Sequence, residues 1–337
     1  MVEADCRHAR NLARTSPLLQ RISQSVYSAA MATVAAGAAR GRRLRYVTER
    51  RGFLASFLIS PAVLFIGLLV GGPLVLAIYL SFTHATAGSL SGKSAGFSNF
   101  TNLIHNTLFR QAVWNTFIFT VISQLVVLLV AGVLAHALVR SFRGRWGFRF
   151  LVLLPWAAPV ALTTTGFLWF FDPLASIFNW FLIHLGIVSE ATKPNWIGTH
   201  TDAMASIITV HAWRIIPFAT VIFLAGISSI PAEVDDAAAI DGATGLRKFW
   251  YVSLPLQLPI AIVAVLFGIV FTATDMAVVY ILTNGNAGTD VLTTFAFKTG
   301  IESGSTGEGA AVTLFMLPVL AVVAIGMLFF AKRAEVT

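Results

Sequence analysis

Long apolar runs alternate with short polar segments along most of this chain. The runs cover residues 53–82, 112–139, 148–171, 204–227, 254–282 and 309–331. A helix needs about 20 mostly apolar residues to cross the hydrocarbon core of a bilayer, and each run meets that length. The pattern predicts an all-α, polytopic membrane protein with six transmembrane helices, and the prolines inside several runs predict that those helices are bent.

Composition agrees with a chain embedded in lipid. Of the 337 residues, 57% are hydrophobic and 11% are charged, whereas soluble domains carry roughly 25% charged residues. The formal net charge of +8 does not indicate a nucleic-acid partner, because most basic residues lie before the first run or in short loops. The single cysteine, Cys6, excludes an internal disulfide and a cysteine-based zinc site, and we expect no metal.

The distribution of Lys and Arg predicts the orientation. Eighteen of the 23 basic residues lie before the first run, in the loops after the second and fourth runs, and at the C-terminus, against four on the other side. Because positive charge accumulates on the cytoplasmic side, we expect both termini there. The chain then divides into a basic, partly disordered cytoplasmic segment (1–52), a six-span domain (53–333) and a tail (334–337).

The first 50 residues are rich in Arg, Ser and Ala. They fit a disordered tail, or translation that starts at Met31, better than a cleaved signal peptide, because a positively charged flank before the first span already explains the arginines.

The loop between the fourth and fifth runs combines small and acidic residues with a basic pair. It reads DDAAAIDGATGLRKFW from residue 235 to 250. Pro231 suits the first turn of a helix, and the acidic residues and alanines after it favour that helix. Gly242 permits a turn, and a second helical segment, from about 244 to 251, leads back to the membrane. One face of this helix–turn–helix, with Val234, Ala237 and Ala238, either packs on its own bundle or docks a partner.

Residues 230–259, IPAEVDDAAAIDGATGLRKFWYVSLPLQLP, resemble the EAA motif of permease subunits in binding-protein-dependent ABC importers. The family's core reads Glu-Ala-Ala, two further residues and Asp-Gly-Ala, followed at set distances by an aromatic residue and Leu-Pro. Asp236 stands where the family usually has Glu and reaches one methylene less far. The matching positions are Asp236, Ala237, Ala238, Asp241, Gly242, Ala243, Phe249, Leu254 and Pro255.

The likeness covers most of residues 53–333. It is strongest to the first of the two permeases in carbohydrate systems of the maltose and glycerol-phosphate type. There, Leu-Thr after the fifth span is usually followed by a Gly-Gly-Pro turn, whereas this chain reads Leu-Thr-Asn-Gly-Asn over residues 282–286.

The resemblance implies a type I ABC importer permease fold with a cytoplasmic EAA coupling helix in a loop of about residues 230–255. Such a subunit forms half of the transmembrane pathway for uptake of a sugar or related polar solute by alternating access, in the bacterial cytoplasmic membrane. The implied partners, besides membrane lipid, are a second homologous permease, two copies of an ATPase and an extracytoplasmic solute-binding protein.

The energy source is expected on another chain. No Gly-x-x-x-x-Gly-Lys-[Ser/Thr] phosphate loop occurs in the sequence. We therefore expect no enzymatic activity and no bound cofactor here, with ATP and Mg on the partner ATPase.

Ionisable residues inside apolar runs are candidates for function, because exposing them to lipid is costly. His211 and Arg214 lie about one turn apart in the fourth run, and Asp275 lies in the fifth. An Arg214–Asp275 pair would neutralise both charges, and it would be either structural or part of the solute path. Sugars offer both apolar faces and hydroxyls, so the candidate path residues are Gln124, His211, Trp213, Arg214, Thr272, Asp275 and Asn284.

Two other classes are less favoured. An ion-coupled secondary transporter usually shows an internal repeat and more spans, and no convincing repeat is found. An intramembrane enzyme would need a catalytic motif around His211 or Asp275, and none accompanies them. Residues 172–187 are amphipathic and lie either along the outer membrane interface or, as we prefer, packed as an outer cap.

Overall fold

The computed structural model describes residues 21, 24–26, 28–33, 51–89, 92–243 and 245–334. Within these residues the regular elements are helices, apart from two isolated bridges, Thr83 with Ser94 and Thr86 with Ser89. The predicted all-α class is confirmed. Most of the predicted N-terminal segment 1–52, and the tail beyond residue 334, lie outside the described residues.

The α-helices from residue 51 onwards fall into long spanning helices and shorter connecting ones. In chain order they are α1 (Arg51–Ile66), α2 (Gly72–Ser81), α3 (Ser98–His105), α4 (Thr107–Val139), α5 (Arg145–Ala157), α6 (Val160–Phe170), α7 (Ile177–His184), α8 (His200–Ser228), α9 (Ala232–Ile240), α10 (Gly245–Lys248), α11 (Leu254–Ala273), α12 (Ala277–Thr283), α13 (Leu292–Phe297) and α14 (Thr306–Ala334). Wider π-helical turns occupy Gly67–Gly71, Phe249–Ser253 and Lys298–Glu302, and a 3₁₀ turn occupies Asn286–Gly288.

The described part of the chain contains five helices that are long and apolar enough to span a membrane. A sixth span is formed if α5 and α6 are counted together. The five are Leu54–Ser81, Thr107–Val139, His200–Ser228, Phe249–Ala273 and Thr306–Arg333. Contacts divide the chain into two units, residues 1–74 and 75–337, and the elements described below all belong to the second.

The third predicted span, 148–171, is not one straight helix. It consists of α5 and α6, which meet at an angle of 95°. Ala158, between them, is extended, with φ −76° and ψ 141°. Proline disfavours the helical conformation in the residue before it, so Pro159 explains why the helix stops at this place.

The fifth predicted span, 254–282, is also divided. Its helix ends at Ala273, and a separate helix, α12, begins at Ala277. Asp275 lies in the break rather than inside the span, and its carboxylate accepts the N–H of Val278 at 3.2 Å. Aspartate side chains compete in this way with regular helical hydrogen bonds. The helix therefore breaks at this place even though the apolar run of the sequence continues through it.

Three long helices, α4, α8 and α11, form the inner part of the bundle. Small residues lie where they meet, which lets the helix backbones approach closely. The buried residues of this cluster are Val127, Ala131 and Ala135 of α4, Ala212, Ile215, Ala219 and Phe223 of α8, and Ala264 of α11.

Residues 172–187, which lie between α6 and α8, have one packed side and one exposed apolar side. Asn179 is buried, donates to the carbonyl of Pro194 at 3.1 Å and accepts from the indole of Trp196 at 2.9 Å. This side forms a packed cap. In contrast, Trp180 is 53% exposed and Leu174 is 90% exposed. The N–H groups of Ala175 and Leu174 donate to the carboxylate of Asp172 and lower its pKa below the ordinary value.

Gly309 of α14 packs directly on the backbone of Gly300. A Cβ at residue 309 would lie 2.7 Å from the amide nitrogen of Gly300 and 2.9 Å from the carbonyl oxygen of Ala296. A backbone contact of this kind cannot be relieved by a side-chain rotation.

We predict that Gly309→Ala destabilises the protein by about 1–3 kcal/mol, because overpacking forces the two backbones apart. Gly326→Ala on the same helix is the matched control, since a Cβ there meets nothing within 4 Å. Thermal unfolding in detergent should show a lower midpoint for Gly309→Ala and no loss for Gly326→Ala. Equal midpoints for the two variants would contradict the close packing.

Candidate functional site

The predicted coupling loop contains one compact helix, α9. Pro231 precedes it with φ −60° and ψ 143°, so it occupies the N-cap and not the first turn as predicted. At the other end, Ala243 donates its N–H to Ala238 at 2.9 Å and Gly242 donates to Ala239 at 3.1 Å. This pair of bonds is a Schellman motif, and it requires the left-handed conformation that Gly242 adopts, with φ +73°.

The second half of the loop differs from the prediction. Instead of a separate helix over 244–251, α10 continues through the π-helical turn Phe249–Ser253 into α11. The wide turn ends just before Pro255, which has no N–H to donate to the preceding turn, and such positions favour irregular helical bonding. The loop is therefore joined to Ala273 by one continuous helical rod.

The three residues expected on one face of α9 do not share the same surroundings. Val234 is half-buried, Ala238 is buried and Ala237 is exposed. Ile240, which the sequence pattern did not single out, is 86% exposed. Five exposed residues of the loop are called the α9 surface: Asp236, Ala237, Ile240, Asp241 and Gly242.

Two contacts connect the loop and α5 to the end of α4. The ring of Phe249 lies edge-on to His136, with centroids 5.2 Å apart. Arg149 of α5 donates to the carbonyl of Leu138 at 3.1 Å, and a cation at a helix C-terminus is favourable. Leu254, the next predicted coupling residue, is half-buried, and Pro255 is exposed.

A buried group of polar side chains lies between α8 and the break after α11. The carboxylate of Asp275 accepts from Arg214 at 2.6 Å and bonds the Nδ1 atom of His211 at 2.8 Å, both through Oδ2. His211 is fully buried, and its ring is packed edge-on against Phe119 at 4.9 Å. The predicted pairing of Arg214 with Asp275 is present, and its role in the solute path stays a prediction.

The Thr272 hydroxyl extends this group to α11. It donates to the carbonyl oxygen of Gly268 at 2.7 Å and lies 2.9 Å from the Nε2 atom of His211. Both ring nitrogens of the buried imidazole therefore have a polar partner.

The other predicted path residues lie at different distances from this polar group. Gln124 of α4 lies against Gly268. Trp213 lines a neighbouring aromatic cleft of about 650 Å³ together with Phe167 and Thr209. Asn284 is apart from both: it is exposed at the end of α12, and its carbonyl oxygen accepts from Lys298 at 2.6 Å.

A second polar group, which sequence reasoning missed, fixes the loop after α12. Asn115 donates to the carbonyl oxygens of Gly288 at 2.7 Å and Asp290 at 2.8 Å, and its own oxygen lies 3.1 Å from Nε2 of His200. Ala287 in this loop has φ +57°, a conformation that costs an L-residue about 1–2 kcal/mol. An asparagine inside an apolar run was the available signal for this group.

Comparison with known proteins identifies the family. The profile described as the inner membrane component of binding-protein-dependent transport systems matches residues 128–336. The chain belongs to this family. The match includes the α9 surface and the group formed by His211, Arg214, Thr272 and Asp275, and it begins just after Gln124.

Curated relatives of this permease are also transport permeases. The chain is 29% identical to the sulfoquinovosyl glycerol transport system permease protein SmoG of Agrobacterium fabrum, over 78% of this chain and 85% of that protein. It is 29% identical to the sn-glycerol-3-phosphate transport system permease protein UgpA of Brucella abortus, over 87% and 99%. It is 27% identical to the trehalose/maltose permease MalF of Thermococcus litoralis, over 81% and 90%. The chain is thus similar to the first permease of carbohydrate systems.

Solved structures support the fold of the permease. The structure of a bacterial alginate ABC transporter in complex with an alginate-bound periplasmic protein matches it with a TM-score of 0.73 and 19% identity, covering 86% of this chain and 98% of the matched one. A second structure of an alginate-importing ABC transporter matches with the same TM-score. The family match and the relatives' names support the ABC permease class over the ion-coupled transporter.

We predict that Asp275→Ala destabilises the permease by about 3–5 kcal/mol, because the Arg214 guanidinium then loses its buried partner. Arg214→Met should cost less, since Asp275 keeps its bonds to His211 and Val278. The double variant should regain part of the loss seen for Asp275→Ala alone. Thermal unfolding of the four proteins in detergent measures this coupling, and strictly additive midpoint shifts would contradict it.

Proposed function

We propose that this permease forms half of the transmembrane pathway of an ATP-driven importer for a sugar or a related polar solute. The observation that carries the proposal is the continuous helical rod from the loop to the buried polar group. Gly245–Ala273 spans about 43 Å at 1.5 Å per residue. A force passed from the α9 surface to Gly245 would reach Thr272, at the far end of this rod, because helices resist axial compression.

The α9 surface supports docking by a separate protein. It exposes an apolar side chain, Ile240, beside two carboxylates, Asp236 and Asp241, on a helix with little bulk at Ala237. An isolated exposed isoleucine in a charged loop is well suited to a small pocket on a partner. The partner we infer is an ATPase, in two copies, which carries the ATP and Mg. A second, homologous permease would complete the pathway.

Orientation and delivery follow from charge and from family membership. The excess of Lys and Arg beside α9 and at the end of α14 supports a cytoplasmic position for the loop and both termini under the positive-inside rule. The opposite end, which includes α7, would then face outward. A solute-binding protein would deliver solute there, in keeping with the family's description as binding-protein-dependent.

The chemistry of the buried group suits a polyhydroxylated solute. Arg214 keeps 17% of its side-chain surface accessible while it bonds Asp275, so its guanidinium has donors left for a ligand. The nearby cleft is lined by Trp213 and Phe167, whose rings meet edge-on, and aromatic rings can stack on the apolar side of a sugar ring. The relatives' names include sulfoquinovosyl glycerol, sn-glycerol-3-phosphate and trehalose/maltose, all of them rich in hydroxyls.

Transport by alternating access then has a physical basis. Closure of two ATPases on ATP would move the α9 surfaces and open the pathway outward, and hydrolysis would return it to an inward-facing state. The solute site would be exposed to one side at a time, because the same rods are displaced in both steps.

We predict that a cysteine at residue 237 forms crosslinks with an associated ATPase. In a Cys6→Ser background, the Ala237→Cys variant would carry the only thiol, since Cys6 is the single native cysteine. Leu174→Cys is the matched control, because residue 174 is also exposed, at 90%, but lies at the opposite end of the bundle. Crosslinked products analysed by mass spectrometry should contain the ATPase for residue 237 and not for residue 174. Reversed labelling would overturn the orientation.

We predict that Gly242→Val uncouples transport while the protein still inserts. Valine is strained at φ +73°, and the Schellman end of α9 would unravel. Gly242→Asn is the control, because asparagine tolerates the left-handed conformation best among L-residues. In proteoliposomes, ATP hydrolysis should continue in the valine variant while uptake falls at least tenfold, with a smaller loss for asparagine. The uptake probe is whichever member of a panel of sugars and glycerol phosphates the binding protein retains. Normal uptake in Gly242→Val would count against the loop's assigned role.

A further inference from the structure

The connection between α4 and α5 is rich in arginine. Residues 140–149, called the basic turn, contain Arg140, Arg143, Arg145 and Arg149. The sequence has no Asp or Glu between Glu49 and Asp172, so neither of the two adjoining helices offers a carboxylate to balance these charges. Among the residues that the structure describes, the ion pairs are formed by other side chains. The basic turn therefore carries four positive charges that no described carboxylate neutralises.

Two of these arginines are held against the end of α4. Arg149 donates to the carbonyl oxygen of Leu138 at 3.1 Å, and Arg145 lies 3.5 Å from that of Val139. Arg143 is exposed. A guanidinium has five N–H donors, so each of the three keeps donors for a further acceptor. Phosphate oxygens match such donors especially well, because the planar fork of a guanidinium can bond two of them at once.

The first turn of α5 adds backbone donors at the same place. Gly144 occupies the N-cap with φ +85° and has no side chain to accept the first N–H groups, and the first turn contains no acidic residue. Free N–H groups and the helix dipole at such a start favour an anion. The helix start and the arginines thus favour the same charge on a ligand.

An apolar stripe on α5 begins beside these donors. Trp146 is 83% exposed and Phe150 is 57% exposed, and their rings are stacked with centroids 6.4 Å apart. Leu154, one turn further along, is 45% exposed. Because α5 forms part of a membrane span, this stripe leads from the membrane surface into the hydrocarbon region, and a tryptophan at its outer end is typical of that interface. A ligand that fits both the stripe and the donors has an anionic head and an apolar tail.

The basic turn lies on the same side of the bundle as the loop that contains α9. The ring of Phe249 packs on His136, in the last turn of α4, and the basic turn is bonded to that same turn. Trp250 and Tyr251, which follow Phe249, are 60% and 78% exposed, and Arg247 before it is also exposed. Cations and aromatic rings therefore occur on both segments that contact the end of α4.

We propose that the basic turn binds the phosphate headgroup of an anionic phospholipid, whose acyl chains lie along Trp146, Phe150 and Leu154. The lipid belongs to the leaflet on the side of the α9 surface. A basic side chain near an anionic membrane surface strengthens attachment by about fivefold, so several arginines together select an anionic lipid over a zwitterionic one. An acidic protein surface would match the arginines but would leave the stripe uncovered. The site is separate from the buried polar group, so the inference does not depend on the proposed transport function.

Lipid binding to the full-length permease in a neutral detergent tests the headgroup site. Native mass spectrometry with phosphatidylglycerol and phosphatidylcholine should show at least tenfold tighter binding of the anionic lipid. Arg143→Gln/Arg145→Gln should weaken binding of phosphatidylglycerol at least tenfold and leave that of phosphatidylcholine unchanged. Lys93→Gln/Arg110→Gln is the matched control, because it removes two exposed charges at the opposite end of the bundle, and it should bind phosphatidylglycerol as the native chain does. An equal loss in both double variants, or no loss in the arginine pair, would overturn the proposal.

Thermal unfolding in the same detergent separates a lipid site from a site for soluble anions. Phosphatidylglycerol should raise the unfolding midpoint of the native permease by several degrees, and inorganic phosphate at the same concentration should not, because it has no chains to cover the stripe. Trp146→Ala should unfold at the native midpoint without lipid, since its side chain is exposed, and should lose part of the rise with phosphatidylglycerol. A rise of equal size with inorganic phosphate would refute the lipid site. Loss of a co-purified ATPase from the arginine pair, with lipid binding intact, would refute it as well.

Discussion

Asp275 lies where α11 stops and α12 begins, and its two carboxylate oxygens serve different elements. Oδ2 bonds Arg214 and His211 of α8, while Oδ1 accepts the N–H of Val278 in the first turn of α12. Its backbone carbonyl also accepts from Thr293 near the start of α13. A buried carboxylate that lost these partners would destabilise the bundle by several kcal/mol. The mutual position of these helices is therefore fixed by charge as well as by apolar packing, and every arrangement of α11 must keep or replace these bonds.

Buried polar side chains occur at two places along α4, and the two places differ in whether these side chains are hydrogen-bonded. Near its start, Asn115 and Thr116 are fully bonded to the loop after α12 and to α13, which makes that end rigid. One to two turns later, the polar side-chain atoms of Thr120, Ser123 and Gln124 have no hydrogen-bond partner among the described residues.

The sequence was sufficient for the number of apolar spans, since length and hydropathy determine them. It was also sufficient for the Arg214–Asp275 pair, because two opposite charges in apolar runs have few other ways to be neutralised. The end of α11 could not be placed, because the apolar run extends to residue 282 and only the capping geometry of Asp275 reveals the break. Pro159 indicated an interruption of the third span. The angle of 95° between α5 and α6 is set by packing and could not be predicted. The contact of Gln124 with Gly268 joins residues 144 positions apart and has no local signal.

The π-helical turn Phe249–Ser253 gives the rod a property that a regular helix lacks. A turn closed by bonds from residue i to i+5 holds one extra residue, and conversion to α geometry would release that residue along the chain. Each residue in an α-helix advances the side-chain direction by about 100°. Such a conversion would accordingly rotate α11 at Gly268 about the helix axis, so that the face presented to α4 would change without a long displacement.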